Sequence, residues 1–189
     1  MPDKDAFREW ERSREEEYFH KREAELIENM HRRAEAEAER RRMTQASGLT
    51  DDEILRELQE LGYNADTVSL MYLAPLIQVA WVYGGVSNLK REEILEAARL
   101  HGVTRGSAAD EKLAQWMASR PTDQFFRRNL QILSRVLQTM PPEQRDVTRR
   151  ELLAGCQTIA SVSGGVLGLG HSATPEENAV IDRIAAELE

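Results

Sequence analysis

A chain of 189 residues with 41% hydrophobic side chains is long enough to bury a core without disulfides or a structural metal. Its formal charge of −8 argues against broad affinity for nucleic acid or anionic bilayers, whose phosphates reward clustered Lys and Arg. One cysteine excludes an internal disulfide, and neither a signal-peptide core nor about 18 consecutive apolar residues is found, so a cytoplasmic chain without a membrane span is expected.

Residues 4–45 predict one long, charged helix, because Gly and Pro are absent between Asp3 and Gly48 while Glu, Arg and Ala dominate. Glu17–Lys21, Glu28–Arg32 and Glu37–Arg41 place acid four residues before base, the favourable orientation. Phe7, Trp10, Tyr18, Phe19, Leu26, Ile27 and Met30 are its apolar residues, and they keep no strict heptad. Large aromatics on a purely solvated helix are costly, so residues 1–47 read as a docking arm. The arm packs on its own body, on a second copy or on a partner protein.

Residues 48–189 predict a bundle of about seven short helices. Thr50-Asp51-Asp52-Glu53 reads as a capping box opening a helix that stops at Gly62. Asn64 or Asp66 starts the next segment, and Pro75 kinks it or begins a helix running to Tyr83. Ser87, Ser107 and Thr122 precede three further helices, and Pro141-Pro142 opens another that reaches about Ser163. Thr174-Pro175-Glu176-Glu177 supplies an N-cap threonine, a proline at the first position and an acid at the third.

"GVLGLGHS", residues 165–172, has the glycine spacing of a phosphate-binding loop, with His171 where that loop needs lysine. An internal echo explains the glycines differently. Val79-Ala80-Trp81-Val82-Tyr83-Gly84-Gly85-Val86 matches Ile159-Ala160-Ser161-Val162-Ser163-Gly164-Gly165-Val166, and each copy lies between two predicted helices. Glycine ends helices by adopting positive φ, so both Gly pairs read as helix connectors and no nucleotide is expected.

"VAWVYGGVSNLKREEILEAARLHGV" and "IASVSGGVLGLGHSATPEENAVIDRIA" resemble the two halves of a TerB-like domain, the all-helical module named for tellurite resistance. The resemblance covers about residues 65–189. It implies an all-α bundle with an internal pseudo-repeat of two helix hairpins, a role in bacterial stress response, and protein partners in membrane-linked complexes. The family's acidic, metal-binding positions fall here on Tyr83 and Ser163, then on Lys90 and Glu176. A hard cation needs several oxygen ligands, so the inherited metal site is expected to be absent or weakened.

Candidate chemistry is sparse. Cys156 has apolar neighbours at helical spacing and reads as a small core residue. His20, His31, His101 and His171 form no metal-ligand spacing, and His101 suits a helix C-terminus as an imidazolium. Trp81 and Trp116 are expected to pack in the bundle, and Arg127-Arg128 and Arg149-Arg150 to lie on solvated faces. The expected function is a non-enzymatic interaction module without cofactor. It binds a protein partner, or itself, through Phe7, Trp10, Tyr18, Phe19, Leu26 and Met30 of the arm and Leu167, Leu169 and His171 of the 164–173 loop. The alternative is a divalent-metal protein using Glu176 and Glu177 with loop carbonyls.

Overall fold

The structure, a computed structural model, describes residues 4–162 and 173–189, with side chains described at Arg14 and from Glu17 onward. Every regular element among these residues is helical. The helices are α1 (Lys4–Ser47), α2 (Asp52–Glu60), α3 (Ala74–Ala80), α4 (Asn88–Leu100), α5 (Ala108–Ala118), α6 (Asp123–Gln138), α7 (Pro142–Ser161) and α8 (Pro175–Glu187), with a 3₁₀ turn over Val68–Tyr72. Contacts divide the chain into two units, Met1–Arg41 and Arg42–Glu189.

The first unit is α1 up to Arg41. Its regularity follows from composition and from in-helix ion pairs such as Glu37–Arg41 (2.5 Å) and Glu28–Arg32 (4.0 Å). Both are exposed, so each contributes only about 0.3–0.5 kcal/mol.

The second unit begins with the last turns of α1, where Met43 is fully buried, and turns at Gly48 with φ +74°. Helix starts are set by local chemistry. The hydroxyls of Ser87, Ser107 and Thr122 accept from the backbone N–H of Lys90, Asp110 and Phe125 respectively. At α2 the cap is Asp51 and not Thr50. The Asp51 carboxylate accepts from both Glu53 N (2.9 Å) and Ile54 N (3.1 Å), a charge-assisted pair that a hydroxyl cannot match. Asn64 closes a side-chain turn onto the N–H groups of Asp66 and Thr67, and Pro75 sits in the first turn of α3.

Helix α3 forms the centre of the unit. All its residues except Gln78 are buried, and it packs against α4, α6, α7 and α8. It stops at Ala80, three residues short of the sequence expectation. Beyond Ala80 the hydrogen bonds tighten to Val82 N–Val79 O and Gly84 N–Trp81 O, and Gly84 then takes φ +76°. The Trp81 indole is drawn away to donate to Trp116 O (2.8 Å). Trp116 itself is buried and touches Tyr63 and Phe125.

Tyr63 and Asn129 form a buried polar chain between segments distant in sequence. Tyr63 donates to Asn129 Oδ1 (2.6 Å), and Asn129 Nδ2 donates to Met71 O (3.0 Å). Arg135 binds Glu57 and Glu53, and Arg128 binds Glu60, so α2 and α6 are also clamped at their wet edge. Arg128 and Arg149 are therefore committed to ion pairs, Arg149 with Glu189 (3.1 Å). Among the described residues no helix is long and apolar enough to cross a membrane.

Candidate functional site

The described part of the arm presents its large apolar side chains to solvent. Tyr18, Phe19, Leu26, Ile27 and Met30 are 55–62% exposed. Tyr18 meets Phe19 edge-on, and its hydroxyl accepts from Arg22 (3.0 Å). The Phe7 and Trp10 side chains lie outside the described set, as do Leu167, Leu169 and His171 with the whole "GVLGLGHS" loop. The segment leading into that loop is helix α7, whereas a phosphate-binding loop follows a buried strand.

In the second unit the chemically distinctive place is the junction of α3, α4 and α8. Ser87 caps α4 and puts Lys90 at its third position; Thr174 caps α8 and puts Glu177 at the equivalent position. These two side chains meet. Lys90 Nζ lies 2.9 Å from Glu177 Oε1, with exposures of 3% and 0%, and 3.4 Å from Ala80 O at the end of α3. The other Glu177 oxygen accepts from Thr174 N and Thr174 Oγ1, both at 3.1 Å, completing the capping box.

Tyr83 closes the outer side. Its Oη is 2.5 Å from Thr174 Oγ1 and 2.9 Å from Glu176 Oε2. With one proton, the phenol donates to the carboxylate, leaving the threonine proton for Glu177. Lys90 Nζ also stands 6.0 Å from the centre of the Tyr83 ring.

The electrostatics follow from these contacts. Burial pushes the Glu177 carboxyl up, but the Lys90 ammonium and the Thr174 donors outweigh it and hold the group below its ordinary value. The Glu176 carboxyl is lowered by its own backbone N–H, then by the Tyr83 hydroxyl. The Tyr83 hydroxyl is raised: the Thr174 hydroxyl lowers it, but desolvation and the neighbouring carboxylates prevail. Both proposed metal carboxylates thus have partners already, Glu177 with the Lys90 ammonium and Thr174, and Glu176 with the Tyr83 hydroxyl. Among the described residues no group of three or more His, Cys, Asp or Glu is placed to hold a metal ion.

Lys90 and Glu177 were separated in the sequence reading, which matched Lys90 to Glu176. Counted from the caps, Lys90 and Glu177 hold equivalent positions. Three positions after Ser87 stands a base, and three after Thr174 stands an acid.

Next to the junction lies an open cleft of about 810 Å³, lined by Trp81, Val180, Arg120, Arg127, Arg183 and Glu176, among others. Its charges are largely spent internally. Arg120 binds Asp123 (2.5 Å), Arg183 donates to Ala179 O (3.3 Å), and Glu176 is held by Tyr83. Burial pushes the Cys156 thiol up to about 12, which leaves almost no thiolate at neutral pH. His101 stacks on Tyr72, with ring centres 5.7 Å apart, and desolvation lowers its pKa against the opposing pull of Glu151. Desolvation thus works against the imidazolium expected at this helix end. No family model, curated protein or solved structure matches the chain.

Proposed function

We propose that the chain is a non-enzymatic interaction module of the TerB-like kind, serving a bacterial stress response and binding a protein partner through its N-terminal helix and the 164–173 segment. The observation that carries the proposal is the exposure of Phe19, Leu26, Ile27 and Met30 along one helix. An apolar row of that size on a charged helix is stabilised only when something covers it. The internal pseudo-repeat of two helix hairpins draws support from the matched caps at Ser87 and Thr174 and from the base–acid pair at equivalent positions after them. An ammonium at Lys90 then joins the halves without a divalent ion.

The test is affinity capture from the native host's extract, with the full chain and with its F19D/L26D/M30D variant as baits. A protein retained by the first and lost from the second is expected. Identical captured sets would refute a role for this face.

A further inference from the structure

We infer that the open cleft beside the Lys90–Glu177 junction is a recognition site for a short acidic peptide segment. Arg127 and Arg183 pair with its carboxylate, and an apolar neighbour in the peptide rests on Trp81 and Val180. The cleft lies wholly within the second unit and uses no residue of the arm, so this inference stands apart from the reading of α1.

The cleft, about 810 Å³, is bounded by the end of α3, the start of α6 and one face of α8. On α8, Glu176, Ala179, Val180 and Arg183 recur at steps of three and four and so share that face; on α6, Asp123 and Arg127 stand four apart. Three guanidiniums therefore line the cleft with two carboxylates. Arg120 pairs with Asp123, and Tyr83 donates to Glu176. Arg183 uses its Nε on Ala179 O, and Arg127 forms no ion pair or hydrogen bond among the described residues. Two guanidiniums are left without a carboxylate. Their fields already reach into the cleft: the Asp123 carboxyl is held below its ordinary value, first by the Arg120 hydrogen bond and also by the charges of Arg127 and Arg183. A carboxylate arriving from outside meets the same charges, and the guanidinium fork matches its two oxygens.

The rest of the lining says what accompanies that carboxylate. Trp81 and Val180 are half-buried and offer apolar surface. Gln78 Oε1 is buried and accepts no hydrogen bond among the described residues. A buried acceptor without a donor is costly, and a peptide N–H is the kind of donor that relieves it. An acidic peptide supplies carboxylate, N–H and apolar side chain together. A polyanion fits less well, because three guanidiniums against two carboxylates leave a single positive charge, on a chain of −8.

Nuclear magnetic resonance titration of the full, isotope-labelled chain with acetyl-Glu-Leu-amide tests the site. The expected result is saturable movement of the Trp81 indole and Gln78 side-chain amide signals. R127Q, at an exposed position, should weaken binding about ten-fold with circular dichroism unchanged. R127E/R183E should instead prefer acetyl-Lys-Leu-amide. The neutral acetyl-Gln-Leu-amide should leave both signals in place, and F19D/L26D/M30D should bind the acidic peptide as the unaltered chain does. Signals that stay still, equal movement with the neutral peptide, or binding indifferent to R127Q would each overturn the site. Inorganic phosphate moving the same signals at lower concentration than the peptide would overturn the peptide assignment in favour of a phosphoryl ligand.

Discussion

Replacing Lys90 by methionine keeps most of the side-chain volume but leaves the Glu177 carboxylate buried without its ammonium. Removing one partner of a buried ion pair costs about 3–5 kcal/mol. Glu177 keeps its two Thr174 contacts, which places the expected loss near the lower end, about 3 kcal/mol. For a chain of this size that lowers the melting temperature by about 6–12 °C. The pH dependence has a definite sign. A carboxyl held below its ordinary 4.5 stabilises the fold fully above that value, and the contribution is lost as pH falls through the lowered folded value. In K90M the carboxyl has no cation to lower it, so protonation relieves the variant, and its deficit narrows from pH 7 to pH 4. Adding E177L removes the stranded charge. K90M/E177L should therefore lose less than the sum of the single changes, by about 1–3 kcal/mol of coupling. Urea titrations of the four chains at both pH values measure this. A K90M cost below about 1 kcal/mol, unchanged between pH 7 and 4, would refute the assignment of a buried, charged pair.

Further outcomes are expected elsewhere in the second unit. Cys156, with its thiol pushed up to about 12 and no exposed surface, should resist iodoacetamide at pH 8 until urea opens the fold; complete labelling of the folded chain within minutes would contradict its burial. Isothermal calorimetry with Ca²⁺ should be silent at micromolar metal, because both Glu177 oxygens and one Glu176 oxygen already have donors; measurable heat at that concentration would favour the metal-binding alternative.

Elements governed by chemistry within four residues were legible in the sequence. Ser87, Ser107, Thr122 and Thr174 could be read as caps because each cap is a side chain reaching its own backbone three residues on. The same locality explains the slip at α2: Thr50 and Asp51 both fit a cap pattern, and only backbone geometry distinguishes them. The end of α3 was misplaced because the Trp81 indole is bonded to Trp116, 35 residues away. The helix end that suits a His101 imidazolium is visible in the sequence, while the stacking on Tyr72 and the desolvation that oppose it are not. Lys90 was legible as a departure from an acidic pattern, but its partner was not, since the pairing depends on how α4 and α8 meet. The opposite charges at matching positions after two caps were the available signal.

The two members of the buried pair are separated by 87 positions. At about 5–20 residues per second, a ribosome adds Glu177 about 4–17 seconds after Lys90. Throughout that interval the carboxylate that pairs with Lys90 in the folded chain is absent, and burying the ammonium behind α3 and α4 without it would be costly. Helix α8 thus acts as a closing key: it brings the carboxylate that lets this corner of the protein bury its lysine.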